Sequence, residues 1–377
     1  PPVPVICCMF SKIWYSYPKD MKKTILYNKH IDLGGRIVEF GGFLLPLQYE
    51  SIVKEHLWCR SSCAIFDTSH MAKFFFKGDK ASSELGRLLT VDIESMEDGR
   101  CRYCLILNER GGIIDDAVVY KFSDDRYMVV SNGSTKDKVK NWYLSYIKEA
   151  EIEDGDAYLD KIDVQGPLSR DVLEDIFNID LSSLSFYRFG MFSISGEETV
   201  ISYSGYTGGA GYEIYIGRDK TERMWDILLQ DGRVKPAGLG ARDSLRLEAG
   251  LPLYGNELNE DITPLEAGLG KFVDFSHSFI GRKAIEERKP QKRMVYFVSE
   301  TRQSPRHGYK IFSDDTEIGY ITSGCFSPSI QKGIGAGYIK GAIRTPERVS
   351  VSDGKYAKIY CSVVSKEKLI SLTGIRR

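Results

Sequence analysis

No charge of one sign dominates this sequence: 51 Lys and Arg stand against 52 Asp and Glu, for a formal net charge of -1. Without a basic excess nothing draws the chain to phosphates irrespective of sequence, so nucleic acid is not an expected partner. Long apolar runs are also missing, and those present are short and broken by Gly or charge. A membrane helix needs roughly 20 apolar residues, so a soluble protein is expected, with no membrane partner. The five His, at 30, 56, 70, 277 and 307, have no ligand spacing, and no metal site is proposed. Eight Cys are scattered through a chain too large to need disulfide staples, which points to a reducing compartment: the cytoplasm, or the mitochondrial matrix in a eukaryote. A zinc site built from Cys59, Cys63, Cys101 and Cys104 is disfavoured, because in an extended segment Cys101 and Cys104 point to opposite faces.

At 377 residues and 42% hydrophobic content the chain exceeds what one packed core usually holds, roughly 250 to 300 residues, so two or three domains are expected. Residues 1–20 are expected to be upstream translation or a disordered leader. They fit neither a transit nor a signal peptide, and Met21-Lys22-Lys23 reads as a natural initiator.

Helix and strand patterns interleave from there. Val139, Trp142, Tyr143, Tyr146 and Ile147 recur on one helical face within 134–150, with Ser134 placed as the N-cap. Two more helical patterns follow, one after Pro167 with Leu168, Val172 and Ile176, the other across 219–230. Strands are predicted at 103–107, 117–122, 127–132, 199–203 and 212–216. The first two flank Asn108-Glu109-Arg110-Gly111-Gly112, whose glycines supply positive φ for a hairpin turn. The basic, Pro-containing run 288–293 reads as a linker. After it only strand patterns and Gly or Ser turns appear, as expected of a small β-barrel.

Within the strand that opens Ile113-Ile114-Asp115-Asp116-Ala117-Val118-Val119-Tyr120, two adjacent carboxylates enter an apolar setting, where an ionised group costs several kcal/mol unless satisfied. Alternation puts Asp116, Val118 and Tyr120 on one face and Asp115 on the other. Taken alone, both acids could simply finish the turn. The Gly-rich loop 204–211 lacks the Lys-Ser/Thr and following helix of a phosphate loop. Glu213 beyond it could equally be a solvated edge residue.

Together the segments resemble one family. Asp67-Thr68-Ser69-His70-Met71, Gly111-Gly112-Ile113-Ile114-Asp115-Asp116, Val130-Ser131-Asn132, Gln165-Gly166-Pro167, Gly205-Tyr206-Thr207-Gly208, the run from Gly238 through Arg242 to Gly250, and Thr322-Ser323-Gly324-Cys325-Phe326-Ser327-Pro328-Ser329 look like the aminomethyltransferases, the T-proteins of the glycine cleavage system. The resemblance runs in order from Met21 to about residue 365. It implies an α+β fold of three domains in a cloverleaf: two interleaved α+β domains over 21–287 and a C-terminal β-barrel over 294–370. It also implies tetrahydrofolate in a central channel, pterin innermost, and a lipoylated H-protein partner that brings an aminomethyl group on sulfur to a monomeric enzyme.

By that resemblance Asp116 is the catalytic carboxylate, stabilising the iminium-like cation left when thiolate or ammonia departs. Tyr103, Val118, Tyr120 and Asn132 match pocket-lining positions, with Tyr187 and Tyr206 near them. Glu213 matches the acid that receives donors from the pterin. Arg242 matches a substrate contact, although an ion pair with Asp243 would account for it as well. The chain departs from the family pattern at Gly209 and Ala210, at Lys271, which stands where Trp is frequent, and in its last eleven residues, 367–377. Rival readings of the same fold are a folate-dependent demethylase of a sulfonium or methylamine donor and a non-catalytic folate-binding assembly protein. The acidic pair and the complete 242–250 motif favour the aminomethyl reaction.

Overall fold

The computed structural model describes residues 21–375 apart from 195, 356 and 357; the expected leader, residues 1–20, lies outside the described residues. Among the described residues four sheets are present. A small one joins Lys22–Lys23, Phe43–Gln48 and Arg36–Phe40. A six-stranded sheet runs Phe189–Ile194, Glu197–Tyr203, Gly211–Gly217, Leu159–Gln165, Cys63–Asp67, Val234–Pro236. A five-stranded sheet runs Arg100–Leu107, Ile113–Ser123, Arg126–Ser131, Ala72–Lys77, Glu151–Asp154. The chain enters the six-stranded sheet, leaves to build the five-stranded one, then returns, so the two α+β units are interleaved as expected. The last sheet closes into a six-stranded barrel beginning at Lys292–Ser299. Among the described residues no helix is long and apolar enough to cross a membrane.

The two large sheets face each other across a shared apolar cluster. Phe75, Cys101, Tyr120, Met128 and Val130 of the five-stranded sheet meet Phe189, Val200 and Tyr215 of the six-stranded one. Cys104 packs instead in the cluster on the other side of its sheet, as alternation requires. The hairpin turn forms because Asn108 Oδ1 accepts from the backbone N–H of Arg110 and Gly112, at 3.0 and 2.9 Å, while Gly111 takes φ +79°. Only the first glycine needs positive φ. Gly112 is required for another reason: a Cβ there would lie 1.7 Å from the Glu260 carbonyl oxygen.

Three local expectations are corrected. The helix expected from Ser134 is Lys136–Tyr146, preceded by a 3-10 turn, and Thr135 occupies the cap position without capping. Its hydroxyl is drawn off to Asp115 Oδ2 at 2.5 Å, a buried acceptor that outcompetes exposed backbone N–H groups. The basic linker is shorter than read, because Lys292 and Arg293 already pair with Lys340 and Ile339 in the barrel. A helix, Lys366–Thr373, follows the barrel strands, capped by the Ser365 hydroxyl and closed by Gly374 at φ +69°. Its Leu369 is buried against Leu247.

The helix Leu239–Glu248 is the hub of the molecule. Its Arg242 reaches the six-stranded sheet at Asp163 and its Arg246 reaches the barrel at Ser323, while Glu248 takes Ser327 and Ser329. Ala241 and Leu245, on the adjoining stripe, are buried against Cys59, Ala64 and Phe66.

Candidate active site

Asp116 leaves the strand Ile113–Ser123 on the face shared with Val118, and Tyr103 of the neighbouring strand, directly across from Val118, is its diagonal neighbour. Tyr103 Oη donates to Asp116 Oδ2 at 3.0 Å, and Asn132 Nδ2 donates to Asp116 Oδ1 at 2.9 Å. Asn132 can do this because it directly follows the strand Arg126–Ser131, whose last residue pairs with Ala117, and so arrives at the level of Asp116. Burial pushes the Asp116 carboxyl above the usual carboxylate range, and the Tyr103 and Asn132 bonds oppose that rise. The Tyr103 phenol is raised in turn, by burial first and then by Asp116. Among the described residues no cation forms an ion pair with Asp116. It is a half-buried acid held by neutral donors, a fit receptor for positive charge.

Asp115 points to the other face, as alternation predicts, but is not independent of its neighbour. The same Asn132 Nδ2 donates to Asp115 Oδ1 at 2.7 Å, and Asn132 N and Thr135 Oγ1 complete the set of donors to Asp115. Fully buried, Asp115 is raised by desolvation and then by the charge of the adjacent Asp116.

Beside Tyr103 opens a cleft of about 360 Å³, bounded also by Tyr187, Phe272, Arg100, Arg102 and Lys271. Tyr187 stands at φ +62°, uncommon for a bulky residue, and is held there by backbone bonds from its N–H to Tyr203 O and from Cys101 N–H to its carbonyl, both 2.9 Å. Lys271 faces the cleft with the two tyrosines. Tyr206 is anchored through its hydroxyl to the Pro252 carbonyl, and the Arg242 guanidinium lies 4.9 Å over its ring.

Three expectations change here. Arg242 does not pair with Asp243, since adjacent helix positions diverge; it gives Nη1 to Asp163 Oδ2 at 2.7 Å while Asp243 takes Arg246. Tyr120 lines no opening. It is completely buried, and its hydroxyl donates to Glu213 Oε2 at 2.9 Å. Glu213 is no solvated edge residue either: it is 7% exposed and also accepts from Ser204, Tyr215 and Lys161. Lys161 and Asp163, which connect Glu213 to Arg242, were not among the sequence candidates. Alternating with Ile162 and Val164, they read with Gln165 as a polar strand face, and nothing local says that the face is covered.

The comparisons with known proteins decide the family. Residues 26–277 match the model of the GCVT N-terminal domain, and residues 292–366 that of the glycine cleavage T-protein C-terminal barrel domain. The chain belongs to the glycine cleavage T-protein family. It is 41% identical over 350 residues to an aminomethyltransferase of Caldanaerobacter subterraneus, covering 90% of each chain. It is 39% identical to an aminomethyltransferase of Bacteroides thetaiotaomicron, covering 85% of this chain and 92% of that one. The crystal structure of glycine cleavage system aminomethyltransferase T from Bartonella henselae superposes with a TM-score of 0.86 at 33% identity, over 92% of this chain and 97% of that one.

In kind, the assembled groups suit the folate of this family: a carboxylate for ring N–H donors, a guanidinium, and tyrosine rings beside a half-buried acid. In occupancy Glu213 is already engaged, with Lys161 on Oε1 and three hydroxyls on Oε2.

Proposed function

We propose that the chain is an aminomethyltransferase of a glycine cleavage system, transferring the methylene carbon of an aminomethyl group on lipoyl H-protein to tetrahydrofolate with release of ammonia. The observation that carries this reading is Asp116: a half-buried carboxylate fixed by Tyr103 and Asn132. Fixed negative charge in a partly dehydrated site stabilises a developing cation more than water does, because the field is already oriented when the charge appears. The cation here is the one formed as thiolate or ammonia leaves the donor. Tetrahydrofolate, when bound, supplies the nitrogens that accept the carbon. Tyr103 and Asn132 hold the acid in place, and its raised pKa suits it to take a proton at Oδ2 or Oδ1 as the reaction proceeds.

In the same reading Glu213 receives ring N–H donors, and Arg242 and Tyr206 contact the folate further out. Tyr103, Val118 and Tyr187 border the space, Asn132 positions the acid, and Tyr120 acts from behind by orienting Glu213. In the same reading the enzyme is a monomer with H-protein as its partner. The test is release of ammonia and methylenetetrahydrofolate from aminomethylated H-protein in the presence of tetrahydrofolate. Turnover of a sulfonium or methylamine donor instead would make the protein a demethylase. Folate binding without either turnover would leave a non-catalytic binder.

A further inference from the structure

Lys161 and Asp163 are sealed between the sheets at 1% and 0% exposure. Two residues apart on the strand Leu159–Gln165, they share a face, and Asp163 is the cross-strand partner of Glu213. The Lys161 ammonium donates to Glu213 Oε1 at 2.9 Å, to Thr68 Oγ1 at 3.3 Å, and to Asp163 Oδ1. Asp163 Oδ1 also accepts from Thr68 at 2.9 Å, while Oδ2 takes Arg242 at 2.7 Å. The result is a buried chain of alternating charge, Glu213 to Lys161 to Asp163 to Arg242, neutral in sum. Its two ends are the acid and the guanidinium that the folate reading assigns to the ligand.

Receiving a pair of N–H donors from a planar ring takes both oxygens of a carboxylate. At Oε2 two of the three donors can withdraw. The hydroxyls of Tyr215, Tyr120, Ser202 and Ser204 form a row with neighbours 2.7 to 3.3 Å apart, so rotating their protons lets three of the four donate along the row and leaves a single hydroxyl on Glu213. At Oε1 the donor is an ammonium. An ammonium cannot turn its proton aside, and a buried one cannot be left unpaired. Asp163 and Thr68 already hold it from the other side, so a second counter-ion stands ready.

We propose that Lys161 is a displaceable internal counter-ion of Glu213, released onto Asp163 when the folate ring docks, and that this exchange sets the affinity of the site. The proposal rests on the folate reading of Glu213 and goes beyond it in naming two residues whose presence weakens binding. A purely structural role for the pair gives the opposite sign.

The double variant Lys161→Met/Asp163→Asn keeps the site charge-balanced, and the amide oxygen that the second substitution introduces can still receive Arg242. Titration calorimetry of the full chain with tetrahydrofolate should show binding about tenfold tighter than in the unsubstituted protein, the scale of one charge-assisted hydrogen bond that no longer has to be exchanged. Unchanged or weaker binding by a folded variant overturns the proposal. Should the variant not fold, a crystal structure of the unsubstituted protein with tetrahydrofolate decides. Lys161 Nζ should stand outside hydrogen-bonding distance of Glu213 and remain on Asp163; an intact Lys161–Glu213 contact beside bound folate overturns it. An unsubstituted protein that binds no tetrahydrofolate removes the folate reading and this proposal together, whereas binding with the wrong sign in the variant removes the proposal alone.

Discussion

Asp115 and Asp116 leave their strand on opposite faces and yet share one donor, the Asn132 side-chain nitrogen, at 2.7 and 2.9 Å. An amide nitrogen carries two hydrogens, so each acid takes one and the pair is mechanically linked through Asn132. Strand alternation alone would make Asp115 a bystander. The shared donor makes it a positioning residue for Asp116.

Asp116→Asn keeps the shape and removes the charge, so turnover with aminomethylated H-protein should fall by roughly 10² to 10⁴ while tetrahydrofolate affinity changes little. The Asp116 carboxyl is raised on folding, so its ionised form costs stability at pH values above its unfolded pKa, and the variant's melting temperature should not drop. Full activity in this variant would remove the central residue of the mechanism. Asp115→Asn should give a smaller but measurable loss through Asn132.

Tyr103→Phe removes a donor that favours the ionised form of Asp116. The carboxyl pKa should rise further, and the acid limb of the kcat profile should move to higher pH, with a loss at neutral pH of about tenfold. A limb that stays in place or moves to lower pH would show that Asp116 is not the group being titrated.

Glu213→Gln should weaken tetrahydrofolate binding by about 1.5 to 3 kcal/mol, the range of a hydrogen bond to a charged group. Calorimetry reads this directly. Unchanged affinity would leave Glu213 a structural member of its buried network.

Glu248 governs acid stability. Burial pushes its carboxyl up, but the His56 N–H, the Arg60 charge and the Ser327 hydroxyl together bring it down to about 2. His56 is itself lowered, by burial first, against the pull of Glu248. Near neutral pH it therefore acts as a neutral donor, and Arg60 supplies the charge. A depressed folded pKa means stability that is present above the ordinary glutamate value, about 4.3, and lost as pH falls towards 2. Glu248→Gln should cost roughly 3 kcal/mol at neutral pH and flatten the decline of stability across that window, measured by denaturant unfolding. Asp67, also held down to about 2, contributes to the same decline, so the variant's curve should be shallower and not level.

Period-two alternation was enough to place Asp116 and Val118 on one face, because side-chain direction in a strand depends on position alone. The Asn-to-Gly-Gly turn was equally legible, since a short-range hydrogen bond and one positive φ build it. So was the interleaving of two α+β units followed by a barrel, through collinear motifs. The covering of the strand face with Lys161 and Asp163 was not legible. A polar strand face reads the same whether water or a second sheet lies over it, and only the return of the chain to the six-stranded sheet puts Tyr120 and Glu213 there. The choice of partner for Arg242 was decided at the same level, as was the diversion of the Thr135 hydroxyl from its helix to Asp115. Each is a competition between a local partner and a distant one, and the distant one wins because burial strengthens the bond and penalises leaving it unmade.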